Sequence, residues 1–98
     1  MTSLPDPEKL ESEALRALGQ FAGASVLEVG CGDGRLTRHY AALAARVIGM
    51  DTDHDEIALA KKEFRKRWRS KISFHRADAQ ALPYAAASFD LVVLAWSL

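Results

Sequence analysis

The sequence is poor in several things, and each lack excludes a class of protein. It holds one cysteine, Cys31, so no internal disulfide framework is available and a reducing, cytoplasmic setting is expected. It carries no net charge: thirteen basic and thirteen acidic residues cancel. A protein built around nucleic acid or an anionic membrane surface shows a basic excess, so neither is expected as a partner. No apolar run approaches the roughly 18–20 residues that span a bilayer. The opening "MTSLPDPEKL" has neither the basic start nor the apolar core of a secretion signal. Repeats, low-complexity stretches and Cys/His sets with zinc spacing are also missing, and no metal is expected.

What is present reads as one globular domain over 98 residues, 49% hydrophobic and 27% charged. Asp6, Pro7 and Glu8 form a helix start, followed by Leu10, Ala14, Leu18 and Phe21 at helical spacing. Gly19 and Gly23 offer stops. "ASVLEV" is a short buried strand. From Arg35 to Ala44, the residues Leu36, Tyr40 and Leu43 recur at i, i+4, i+7, which predicts an amphipathic helix with those three inward. "RVIGMD" is a second strand. A third helix follows, with Asp53 and Glu56 imitating a capping box and Ile57, Ala60, Phe64 and Trp68 as its stripe. "KISFHRAD" is a third strand, "AQALPYAAAS" a loop and "FDLVVLAW" a fourth strand. Strands separated by helical crossovers predict an α/β layered parallel sheet. The chain ends within the last apolar run, so a fragment, an early stop or a partner covering the fourth strand is expected.

The stretch "VLEVGCGDGRLT" carries three of the six glycines, at 30, 32 and 34. A strand running through tight glycines into a helix presents backbone N–H groups and a helix N-terminus to a ligand. The dinucleotide fingerprint would need its last glycine where Arg35 stands. Glu28 and Asp33 are poor neighbours for a pyrophosphate but suit a cationic amino group. Asp51 closes the second strand about 20 residues after the turn, the place from which a carboxylate reaches ribose hydroxyls in a doubly wound sheet. A nucleoside joined to an amino acid meets both demands.

On these residues the chain resembles the class I S-adenosylmethionine-dependent methyltransferases, nearest the small-molecule group related to quinone-biosynthesis methylases. "VLEVGCGDG", "VIGMDTD" and "RADAQALPYAAASFDLVVLAWSL" match three motifs in order, over roughly residues 20–98. The resemblance implies a Rossmann-like sheet of order 3-2-1-4, truncated after its fourth strand. It implies that S-adenosylmethionine is bound and S-adenosylhomocysteine released. Glu28 would meet the methionine amino group, directly or through water. The backbone of Gly30, Cys31, Gly32 and Gly34 would pass under methionine and ribose. Asp51 would hold the ribose hydroxyls and Thr52 would flank the adenine. Asp78 and the N–H of Ala79 would bond the adenine edge, Leu82 would pack nearby, and Trp96 would lie near the methionine end. The strands that build an acceptor pocket in the family are absent, so the small-molecule acceptor and any catalytic base stay unassigned.

Three other readings stand beside this one. A non-catalytic S-adenosylmethionine-binding module would act through a partner chain. A nicotinamide-dependent oxidoreductase is opposed by Arg35 and Glu28. An interaction piece would pair the edge of "LVVLAW" with a partner or a second copy. Cys31 reads as a small turn residue rather than a nucleophile. The calcium-like start "DTDHDE" fails, because the required glycine is Glu56 and the closing glutamate is Lys62. The basic run "KKEFRKRWRSK" reads as a solvated helix face.

Overall fold

Four parallel strands form one sheet, in a computed structural model that describes residues 19–64, 70–78 and 88–95. They are β1 (Ser25–Val29), β2 (Arg46–Asp51), β3 (Ile72–Arg76) and β4 (Leu91–Leu94). Two regular helices are described, α1 (Thr37–Tyr40) and α2 (His54–Phe64). The order is β3-β2-β1-β4, as the resemblance implied. The chain leaves β1 toward β2 on one side and returns to β1's other side as β4. That reversal opens a crevice at the carboxyl ends of β1 and β4, where doubly wound sheets hold ligands.

Register decides which face each residue takes. Glu28 stands between Gly49 of β2 and Val93 of β4, and Leu27 between Ile48 and Val92. On the face covered by the helices, Val26, Val47, Ile72 and Phe74 pack against Tyr40, Ala41, Ala44, Ile57, Ala60 and Phe64. The Phe64 and Phe74 rings meet at 5.2 Å between centroids. On the other face Leu27, Val29 and Met50 form a smaller cluster with Ile48, Ala77 and Phe89. Each large apolar side chain so buried contributes about 1.5–3 kcal/mol. β1 is buried on both faces, and its apolar run is interrupted only by Glu28. β4 is one edge of the sheet, and its outer-face residues Val92 and Leu94 stay 37% and 44% exposed.

The helix expected over Arg35–Ala44 is shorter and turned differently. Only Thr37–Tyr40 is regular. On either side the chain keeps winding through mixed bonds: Arg38 N–H donates to Gly34 O, but His39 N–H to Leu36 O and Leu43 N–H to Tyr40 O, one residue tighter. The tightening rotates the inward face. Thr37, Tyr40, Ala41 and Ala44 are buried, whereas Leu43 is 43% exposed. Tyr40 stacks on Phe21 at 4.2 Å.

α2 begins as expected, with Oδ1 of Asp53 accepting the N–H groups of Asp55 at 2.9 Å and Glu56 at 3.2 Å. Ile57, Ala60 and Phe64 face inward. The helix expected from Asp6, the position of Trp68 and the loop around Pro83 lie outside the described residues.

Candidate functional site

The glycine turn is fastened to the neighbouring strand by main-chain bonds. The N–H groups of Gly30 and Cys31 both donate to the carbonyl of Met50, at 2.8 and 3.1 Å. Gly30, Gly32 and Gly34 all have φ in the left-handed region, at 78°, 56° and 90°. At Gly34 any side chain would also collide, since a Cβ there would lie 2.5 Å from Cε2 of Phe64. Gly49 matters for the same reason and was passed over in the sequence. A Cβ on it would lie 2.8 Å from the Phe74 ring and 3.0 Å from Sγ of Cys31. A lone glycine inside an apolar strand is the signal of such close approach.

Asp51 ends β2 with its carboxylate held from both sides. Oδ2 accepts the Gly32 N–H at 2.8 Å, and Oδ1 accepts the Asp53 N–H at 2.9 Å. Each carboxylate oxygen has a second lone pair, so the group is oriented and still able to accept. This arrangement also opens the capping box. The Asp53 N–H that Glu56 would have accepted goes to Asp51 instead. Glu56 lies beside the turn, its Oε2 3.6 Å from where a Cβ on Gly32 would stand. The sequence assigned Glu56 to capping alone.

Glu28 is fully buried on the helix-facing side of β1. Its Oε1 accepts the hydroxyl of Thr37 at 2.9 Å and the hydroxyl of Tyr40. Its Oε2 has no partner among the described residues. Burial raises the pKa of Glu28, and the hydrogen bonds from Tyr40 and Thr37 pull the other way. Thr37 and Tyr40 are thus site residues that the sequence left as packing. Cys31 is buried beside them, its thiol pushed up to about 12 by burial and by the charges of Glu28, Asp51 and Asp33. It is a thiol at neutral pH and no nucleophile.

Two hollows flank Asp51. One, about 520 Å³, is lined by Gly30, Cys31, Gly32, Asp33, Arg35, Leu36, His39, Glu56 and Ala95. The other, about 400 Å³, is lined by Thr52, Arg76, Ala77 and Asp78. Between them the Ala77 N–H donates to the Asp51 carbonyl at 3.0 Å, and Arg76 Nε donates to the Thr52 carbonyl at 3.1 Å. Gly30, Cys31 and Gly32 thus line the larger hollow and Thr52 and Asp78 the smaller, while Asp51 lines neither but bonds Gly32 of the first and precedes Thr52 of the second. Gly34 sits behind the turn against Phe64, and Glu28 lies beneath the crevice rather than in its wall. Ala79, Leu82 and Trp96 lie outside the described residues. Among the described residues no three His, Cys, Asp or Glu side chains gather as metal ligands, and no helix is long and apolar enough to cross a membrane.

The chain's residues 26–98 match a family model described as a methyltransferase domain. The chain belongs to the methyltransferase domain family. It is 28% identical over 90 residues to a demethylmenaquinone methyltransferase of Lactococcus lactis, covering 89% of this chain and 36% of that protein. It is 34% identical over 84 residues to a malonyl-[acyl-carrier protein] O-methyltransferase of Legionella pneumophila, covering 80% of this chain and 29% of that one. Among solved structures, an S-adenosylmethionine-dependent methyltransferase from Mesorhizobium loti superposes with a TM-score of 0.55 at 30% identity. That match covers 69% of this chain and 31% of the other. The methyltransferase domain seen here therefore spans about a third of the length of these relatives. Its Rossmann-like sheet and its class, the S-adenosylmethionine-dependent methyltransferases, are those the three sequence motifs implied.

Proposed function

We propose that this chain binds S-adenosylmethionine across the two hollows and forms the cofactor-holding part of an enzyme that methylates a small-molecule acceptor. The observation that carries the reading is Asp51: a carboxylate at the carboxyl end of β2, next to β1, oriented by two backbone N–H groups and left with acceptor capacity on both oxygens. Such a group accepts a pair of vicinal ribose hydroxyls. The larger hollow mixes cationic and anionic walls, Arg35 with Asp33 and Glu56, which suits a zwitterionic amino acid better than a phosphate. The smaller one, with Thr52 and Asp78, takes the base.

When bound, S-adenosylmethionine supplies a methyl group already activated on a sulfonium, open to direct in-line displacement. The work left to the protein is alignment and exclusion of water. Asp51 fixes the ribose, and the backbone at Gly30 and Gly32 offers a close approach to the ligand because neither carries a side chain. Asp78 accepts from the base beside Ala79 and Leu82, while Trp96 belongs to the methionine end in this reading. A small-molecule acceptor is in keeping with the demethylmenaquinone named for the Lactococcus lactis relative. A cytoplasmic setting fits the single free cysteine, Cys31.

Calorimetric titration with S-adenosylhomocysteine tests this, with NAD and an Asp51→Ala variant as controls. Binding that the variant weakens by about 1–3 kcal/mol, the scale of lost charged hydrogen bonds, with none to NAD, is the expected result. A folded chain that binds neither ligand would refute it.

A further inference from the structure

Glu28 is fully buried, yet only one of its carboxylate oxygens has partners among the described residues. Both available hydroxyls, from Thr37 and Tyr40, point at Oε1. They stand three residues apart on α1 and so project from the same side. The Tyr40 ring is itself held by stacking on Phe21. Oε2 is left as a buried acceptor without a donor, a state that costs about 1–3 kcal/mol.

We propose that Tyr40, together with Thr37, is a positioning residue that pins Oε1 of Glu28 and reserves Oε2 for the ammonium group of an amino-acid ligand, met directly or through one water. This rests on the reading of the crevice as an S-adenosylmethionine site and names the preset acceptor for the ligand's cation. Burial favours the protonated form of Glu28, and the two hydroxyl donors favour the carboxylate. A cation arriving at Oε2 adds to the second effect. Binding therefore shifts Glu28 toward the carboxylate, and whatever proton is displaced leaves to solvent. The titratable groups facing Glu28 are Cys31 from the turn and Tyr40 from α1. Both are raised by burial and keep their protons at neutral pH. β2 and β4 present Gly49 and Val93.

The test is titration of the full chain with S-adenosylhomocysteine between pH 5 and pH 7, in two buffers of different ionisation enthalpy. Wild type is compared with Tyr40→Phe, Thr37→Val and Glu28→Gln, each checked for folding by circular dichroism. The charged groups of the larger hollow are identical in all four, so their titration cancels. Wild type is expected to bind more tightly as pH rises and to release a fraction of a proton. Tyr40→Phe keeps its ring on Phe21 but loses the clamp, so Glu28 holds its proton to higher pH. Its affinity should fall about tenfold at the acid end of the range and by less at the other end. Glu28→Gln should lose the linked proton release. If Tyr40→Phe does not fold, Thr37→Val carries the same comparison. A loss that is equal at every pH, no loss, or undiminished proton release in Glu28→Gln overturns the inference while leaving the cofactor reading intact. Wild type that fails to bind overturns both.

Discussion

The N–H of Gly32 donates to Oδ2 of Asp51 at 2.8 Å, which ties the turn after β1 to the end of β2 through one side chain. Asp51 therefore has a structural task besides any ligand. Replacing it with alanine strips the acceptor from two backbone donors, those of Gly32 and Asp53. Urea unfolding of Asp51→Ala should show a loss of about 1–3 kcal/mol. Asp51→Asn, which keeps one acceptor oxygen, should lose less.

Gly34 combines a left-handed backbone with a side-chain collision. Gly34→Ala would have to adopt φ near 90° with its Cβ 2.5 Å from Phe64. A loss of about 2–4 kcal/mol by chemical denaturation is expected from strain and overpacking together. The double variant Gly34→Ala with Phe64→Leu should recover part of it, and full additivity would argue against the contact.

Cys31 should be inert. Its thiol is raised to about 12, so almost none is thiolate at pH 8 in the native chain, whereas the unfolded chain returns to the ordinary value of about 8.5. Alkylation at pH 8 should be far slower than in denaturant, and native-state labelling at the unfolded rate would contradict the burial described. The same shift means that stability falls as pH rises from about 8.5 toward 12, because the native state binds the extra proton there.

Glu28 predicts a second pH effect, in acid. Unfolded glutamate loses its proton near pH 4.3, and native Glu28, raised by burial, keeps it to higher pH. Between those two values the native state binds more protons, so this residue's contribution to stability is present below pH 4.3 and declines as pH rises through the folded value. Subtracting the unfolding curve of Glu28→Gln from that of wild type isolates the effect. A difference that stays flat from pH 4 to pH 7 would show that burial does not shift Glu28.

Val92 and Leu94 lie on the outer face of the edge strand at 37% and 44% exposure. An edge of this kind recruits another strand or sheet face. We expect the mass seen by light scattering to rise with protein concentration and the rise to be smaller in Val92→Lys. A monodisperse monomer at high concentration would count against it.

The strands were open to reading because short, mainly apolar runs, "SVLEV", "RVIGMD" and "LVVL", are separated by helical spacings, and their order followed from the family resemblance. Asp51 was legible because its distance from the glycine turn is set by one βαβ unit. The inward face of α1 was not. Leu36, Tyr40 and Leu43 have the right period for an ideal helix, but tighter bonds at both ends rotate Leu43 outward, and small Ala41 and Ala44 take its place. Glu56 was hidden for a related reason. A capping-box pattern says which donors are near, not which acceptor wins, and Asp51 captures the N–H of Asp53 first. The clamp on Glu28 depends on where β1 and α1 meet in space, which no local spacing encodes.

The two N–H groups that grip the Met50 carbonyl belong to the main chain. Short of proline, no replacement at positions 30, 31 or 50 removes them. The platform under the crevice is therefore tolerant of drift in the side chains that border it. Its weak point is Asp51, where a single base change in the gene suffices to cut the side-chain tie to Gly32 and leave the turn on its two bonds to Met50.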